Sequence, residues 1–135
     1  MDKSLLNAGA DPMGAAIYDY YLSGEADTLI VHSSMFEDDE IPVPSLFREY
    51  EQMPHIEQIA LQKASGSILD VGAGSGCHSV ALQKMGKKTT AIEISELSVE
   101  VMKERGVEAF CVNFYDEGFN EKFDTILMLM NGTGI

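Results

Sequence analysis

The chain is 135 residues long, about the size of one domain, and 45% of its residues are hydrophobic, enough to build a packed core. Twenty-two Asp and Glu against nine Lys and Arg leave a formal net charge of -13, which excludes a broad nucleic-acid-binding surface because neutralising phosphates requires clustered cations. No stretch approaches the roughly 18 apolar residues of a membrane span, no basic-then-apolar leader opens the chain, and Cys77 and Cys111 lack metal-ligand spacing, so the expectation is a soluble cytoplasmic protein with reduced thiols and no metal.

Pro12 opens a predicted helix that continues through Ala15, Ala16, Ile17, Tyr18, Tyr20, Tyr21 and Leu22 until Gly24. An acidic run at 36–40 leads into Ile41-Pro42-Val43-Pro44, whose alternate prolines predict an extended path, with Ser45 placed to cap the next helix. Over 46–64 the apolar residues Leu46, Phe47, Tyr50, Met53, Ile56, Ile59, Ala60 and Leu61 recur at three and four, predicting an amphipathic helix that Pro54 bends or splits. Residues 1–64 therefore read as a helical N-terminal cap region.

After Ser65-Gly66 the pattern becomes alternating strand and helix: strands over 67–71, 88–93, 107–112 and 123–130, helices over 77–85 and 96–105. Ser95 is placed to cap the second of these helices, and Gly86 and Gly106 to end each. Short apolar strands joined by helices predict an α/β fold with a parallel sheet covered on both faces. The fourth strand, apolar at successive positions, reads as one buried on both faces.

The most informative run is Ile68-Leu69-Asp70-Val71-Gly72-Ala73-Gly74-Ser75-Gly76-Cys77-His78, a buried strand that delivers an acid into a glycine-packed turn. Glycine lets a ligand approach the backbone and permits positive φ, and the helix after the turn begins with N–H groups lacking intrahelical partners. The dinucleotide pattern G-x-G-x-x-G fits poorly, because Cys77 stands where its third glycine belongs. Glu93 closes the second strand of this region, where an acid accepts hydrogen bonds from the vicinal hydroxyls of a ribose.

Asp70-x-Gly72-x-Gly74-x-Gly76 resembles motif I of the class I S-adenosylmethionine-dependent methyltransferases, and the order of the flanking elements is similar to that family's. The resemblance implies a Rossmann-like methyltransferase sheet of strand order 3-2-1-4-5-7-6, of which residues 65–135 supply strands one to four in the order 3-2-1-4, the N-terminal half of an S-adenosylmethionine-binding domain. It implies that Asp70 helps hold the amino acid end of the cofactor, that the backbone of Gly72, Ala73 and Gly74 lies against it, that Glu93 takes the ribose, and that Asn113 and Phe114 meet the adenine. Asn131 falls where the family positions the methyl acceptor, without the prolines of the enzymes that methylate nucleic-acid amino groups. The implied reaction is methyl transfer to a small molecule or protein, with no nucleic acid or membrane as partner and no catalytic residue named.

Plainer roles stand beside each of these. Asp70 can tie down its own turn, Glu93 can be a helix-start carboxylate, Asn113 a turn residue and Phe114 a core residue; His78 reads as a helix-start residue that packs locally, and Tyr18, Tyr20 and Tyr21 as either a lid or core. An NAD(P)-binding oxidoreductase or epimerase, or a non-catalytic interaction fragment, are the alternative functions. Ending at Ile135 further predicts a fragment whose strand-four edge is bare and pairs two copies as a homodimer.

Overall fold

The computed structural model of the chain describes residues 8–25, 29–32, 39–115 and 121–129. Helix α1 (Pro12–Ser23) starts on Asp11, whose Oδ1 accepts from the Gly14 N–H at 2.9 Å, and stops at Gly24, where φ is +77°. Next comes a two-stranded antiparallel ribbon, β1 (Leu29–Val31) on β2 (Asp39–Ile41). Two 3-10 segments, Val43–Phe47 and Tyr50–Gln52, lead to α2 (His55–Lys63). The remainder of the chain alternates: β3 (Ile68–Val71), α3 (Cys77–Lys84), β4 (Thr89–Glu93), α4 (Glu96–Glu104), β5 (Ala109–Cys111) and β6 (Thr125–Leu127).

The strands β3 to β6 form one parallel sheet in the order β5-β4-β3-β6, the order expected from the resemblance. Asp70 stands opposite Ala91 and Leu127, and Glu93 opposite Cys111, so the two acids come from the C-terminal ends of neighbouring central strands. Ile68, Ala91, Ala109 and Leu127 face the helices, burying themselves with Ala16 and Ile17 of α1, Leu61 of α2, Leu82 of α3 and Met102 of α4. On the other face Leu69, Val71 and Ile92 are buried with Val112, Phe114 and Phe123 packed on them. Both faces are thus covered, as expected: the helices among the described residues share one face, and Val112, Phe114 and Phe123 lie against the other. Right-handed crossovers that step in a single direction, β3 to β4 to β5, place α3 and α4 on the same side.

Several expectations fail in the cap. The helix over 46–64 is replaced, over its first half, by the 3-10 segments, and the helix proper begins after Pro54. Proline forces the preceding residue out of the α region, and Met53 is extended at φ -73° and ψ 146°. The periodicity nonetheless marks burial correctly at Leu46, Met53 and Leu61, while Ile56 is 78% exposed. Ser45 does not cap; its Oγ donates to the Pro42 carbonyl at 2.6 Å, and the extended path ends at Pro42, since Val43 already begins a 3-10 turn. The ribbon β1–β2 makes the cap mixed instead of helical.

β6 is shorter than expected and is not buried on both faces: Ile126 is 49% and Met128 38% exposed, because among the described residues β6 has a strand neighbour on one side alone. Met130 and Asn131 lie outside the described residues.

The cap is tied to the sheet region through Lys87, whose ammonium donates to the carbonyls of Leu61, Gln62 and Ala64 at 2.8, 2.9 and 2.8 Å. These are carbonyls at the end of α2, which the helix itself leaves without partners and where a cation also meets the negative end of the helix dipole. Lys87→Met is expected to cost about 2 kcal/mol of stability in urea denaturation, the scale of hydrogen bonds to a charged group.

Candidate functional site

The glycine turn rises from β3 and is held first by β4: the N–H groups of Gly72 and Ala73 donate to the Ile92 carbonyl at 3.0 and 3.3 Å. Gly72, Gly74 and Gly76 sit at φ +64°, +58° and +81°, a region that residues with a Cβ rarely adopt. The third of them has a packing reason as well. A Cβ on Gly76 would lie 2.7 Å from Cγ of Met102, so the start of α3 is pressed against α4. Ala73, fully buried, packs with Val99 and Met102 of α4.

Asp70 is wholly buried under this turn. Its Oδ2 accepts from the Ser79 hydroxyl at 2.8 Å, one turn into α3, while Oδ1 has no hydrogen-bond partner. Burial raises its pKa to about 6, against the lowering influence of His78 and of the Ser79 bond. A buried carboxylate oxygen without a partner is costly, and such an oxygen suits a cationic or N–H-bearing ligand group.

Glu93 crosses from β4 to the same turn. Its Oε2 accepts from the Gly74 N–H at 2.8 Å, and its Oε1 from the N–H groups of Ile94 and Ser95 at 3.0 and 3.4 Å. Burial pushes its pKa up, opposed by the amides of Gly74, Ser95 and Ile94. Asp70, Gly72, Ala73, Gly74 and Glu93 are thus brought together. Asn113 and Phe114 come after β5: Asn113 Oδ1 accepts from the Tyr115 N–H at 2.9 Å, closing a turn, and Phe114 packs on the cluster of Leu69, Val71 and Ile92 and meets Tyr115 edge-on at 5.5 Å.

The remaining candidates take structural places. His78 is fully buried, its Nε2 2.5 Å from Oε1 of Glu57, which also accepts from Nη2 of Arg48 at 2.6 Å. Burial acts to raise the Glu57 pKa, but His78 and Arg48 together hold it below its ordinary value. Tyr18 and Tyr20 pack against the main core, and Tyr20 stacks obliquely on Phe47. Cys77 and Cys111 are free thiols, and burial pushes the Cys77 thiol up to about 11, far from a nucleophile. Among the described residues no group of His, Cys, Asp and Glu is arranged to hold a metal, and no helix is long and apolar enough to cross a membrane.

Asp11 is the site neighbour that the sequence pattern did not expose. While Oδ1 caps α1, its Oδ2 accepts from the Ser95 hydroxyl, and Ser95 Oγ in turn accepts from the Ser98 N–H at 3.1 Å to cap α4. One carboxylate therefore joins two helix N-termini beside Glu93. The Asp11-Pro12 pair signals a helix start, but a partner 84 positions away leaves no local trace.

Against this geometry, the family described as "Methyltransferase domain" matches residues 68–133. The crystal structure of a Bacteroides fragilis S-adenosylmethionine-dependent methyltransferase, in complex with S-adenosylhomocysteine, is 63% identical, with a TM-score of 0.90 over 95% of this chain and 54% of that one. Ribosomal protein L11 methyltransferase of Staphylococcus saprophyticus is 36% identical over 77 residues, 50% of this chain and 24% of its own. Cypemycin N-terminal methyltransferase of a Streptomyces species is 33% identical over 69 residues, 48% of this chain and 28% of its own. The chain thus spans about half the length of the solved relative and about a quarter of the other two.

The raised Asp70 pKa has a stability signature. An acid whose pKa is higher in the folded state costs nothing below its unfolded value of 3.8, and the cost grows as pH rises to about 6, then stays constant. Asp70→Asn removes that charge and keeps an acceptor for Ser79. Its stability advantage over the parent chain is expected to reach up to about 3 kcal/mol above pH 6 and to vanish near pH 4, as read by urea denaturation across pH.

Proposed function

We propose that this chain, which belongs to the class I S-adenosylmethionine-dependent methyltransferases, binds that cofactor at its glycine turn and supplies the cofactor-holding part of a methyl transfer to a small-molecule or protein acceptor. The observation that carries the proposal is the meeting, around one turn, of a buried carboxylate with an oxygen lacking a partner and a second carboxylate resting on the Gly74 N–H. The 63% identity to a protein crystallised with S-adenosylhomocysteine supports the same ligand here.

The bound cofactor supplies a methyl group already activated on a sulfonium, so the protein's task is orientation and exclusion of water. Asp70 Oδ1 accepts from the ammonium of the amino acid end, directly or through a water. Gly72, Ala73 and Gly74 present backbone without obstructing side chains. Glu93 would accept from the ribose hydroxyls. Asn113 would read the adenine amine through its side-chain carbonyl, with Phe114 packed on the ring.

A dinucleotide cofactor is disfavoured by spacing, since Cys77, buried in the core, stands where the third glycine of that fingerprint belongs. For the acceptor, the net charge of -13 speaks against a nucleic acid. Two relatives bear names that point to ribosomal protein L11 and to an N-terminal position, which supports keeping a protein beside a small molecule as acceptor.

Calorimetric titration of S-adenosylhomocysteine is expected to show one site, with no binding of NAD as control. Glu93→Gln should weaken the affinity by about tenfold or more, the scale of losing hydrogen bonds to a charged acceptor. Binding of NAD with none of S-adenosylhomocysteine overturns the assignment.

A further inference from the structure

We propose that Arg105 is a positioning residue for the cofactor turn, holding the Ser75–Gly76 peptide in the orientation the cradle requires and tying it to the N-terminal cap. The proposal rests on the S-adenosylmethionine reading and concerns what fixes the affinity of that site.

Ser75 lies between two left-handed glycines, Gly74 at φ +58° and Gly76 at φ +81°. Glycine accepts either sign of φ, so nothing in this sequence keeps the intervening peptide units from flipping. Both poles of the Ser75–Gly76 peptide are nevertheless pinned. The Gly76 N–H donates to the Ala73 carbonyl at 2.9 Å, and the Ser75 carbonyl accepts from Nη1 of Arg105 at 2.6 Å. The first bond lies inside the turn and forms with it; the second comes from the end of α4 and is charge-assisted.

The guanidinium is itself set in place by the cap. Its carbon lies 5.0 Å from the centroid of the Phe47 ring, and Phe47 lies 5.0 Å from the ring of Tyr20 in α1. A planar cation on an aromatic face is held in orientation as well as in distance. From the other side, the Ser75 hydroxyl donates to the carbonyl of Leu46, the neighbour of Phe47. The turn is therefore gripped through the carbonyl and the hydroxyl of one residue, and both grips lead to the 3-10 segment Val43–Phe47. Arg105 also borders a cavity of about 350 Å3 that it shares with Phe47, Arg48, Lys84 and Met85. Truncating it enlarges existing space and leaves the apolar core intact.

Without the guanidinium, the fraction of molecules whose turn holds this conformation falls, and the apparent dissociation constant rises by the inverse of that fraction. Arg105→Ala is expected to weaken S-adenosylhomocysteine binding by about tenfold, measured by calorimetry well below the melting temperature. Arg105→Lys, which can donate to the Ser75 carbonyl but does not lie flat on Phe47, is expected to recover part of that loss. A merely structural arginine would lower Tm and leave the affinity of the folded variants at the parent value.

The parent chain is titrated alongside. If it binds and folded Arg105→Ala binds as tightly, the positioning role is overturned while the cofactor reading stands; if the parent does not bind, both fall. Should Arg105→Ala fail to fold, Arg105→Lys decides: weakened binding with an unchanged far-ultraviolet spectrum supports the role, and parental affinity overturns it.

Discussion

A turn that needs three glycines at positive φ has few side chains with which to hold itself still, and most of the structure around it can be understood as supplying that hold from outside. Ile92 and Glu93 of β4 take its N–H groups, Asp70 and Ser79 brace it from below, Met102 presses on its last glycine, and Arg105 and Leu46 fix Ser75. These residues come from β3, β4, the start of α3, the C-terminal end of α4 and the cap. The conformational freedom that lets a ligand reach the backbone thus has to be removed by long-range contacts, and the fold is arranged to make them.

Charge obeys the same geography. In a chain of net charge -13, the acids at the site are not scattered surface groups. Asp11 lies between the N-termini of α1 and α4, Glu93 accepts from three amides, and Glu57 is held by Arg48 and His78. Each of these carboxylates is placed where N–H groups or cations already point, which is how negative charge is kept below the surface at tolerable cost. Asp70 is the exception, with one oxygen accepting from Ser79 and the other without a partner.

Much of the fold and of the site is legible in the residues. The strand, the acid and the alternate glycines from Ile68 to Gly76 are contiguous, so their local geometry is written in one short run; Glu93 is found because a strand end and a helix cap, Ser95, bracket it. The sheet order is legible through resemblance. The features that escape have a common physical cause. Leu46, Phe47 and Met53 lie in or beside 3-10 turns whose burial repeats like that of an α-helix, so periodicity does not separate the two. The β1–β2 ribbon pairs segments with no tight turn residues to announce it. The contacts of Asp11 with Ser95 and of Arg105 with Ser75 join residues distant in sequence, where only the folded chain brings a donor to its acceptor.

The engagement of Glu93 with Gly74 bears on the energetics of ligand entry. Its oxygens give the turn amide and the first N–H groups of the next helix an acceptor within the protein itself, so these donors do not depend on a ligand for satisfaction. The carboxylate acts as a place-holder, and the cradle is a satisfied structure instead of a strained one. Under the proposed function, a ribose taking this carboxylate would replace one set of donors with another at this end of the site. On that reading, what Glu93 contributes to affinity is the difference between the two sets of hydrogen bonds and not the sum of the new ones.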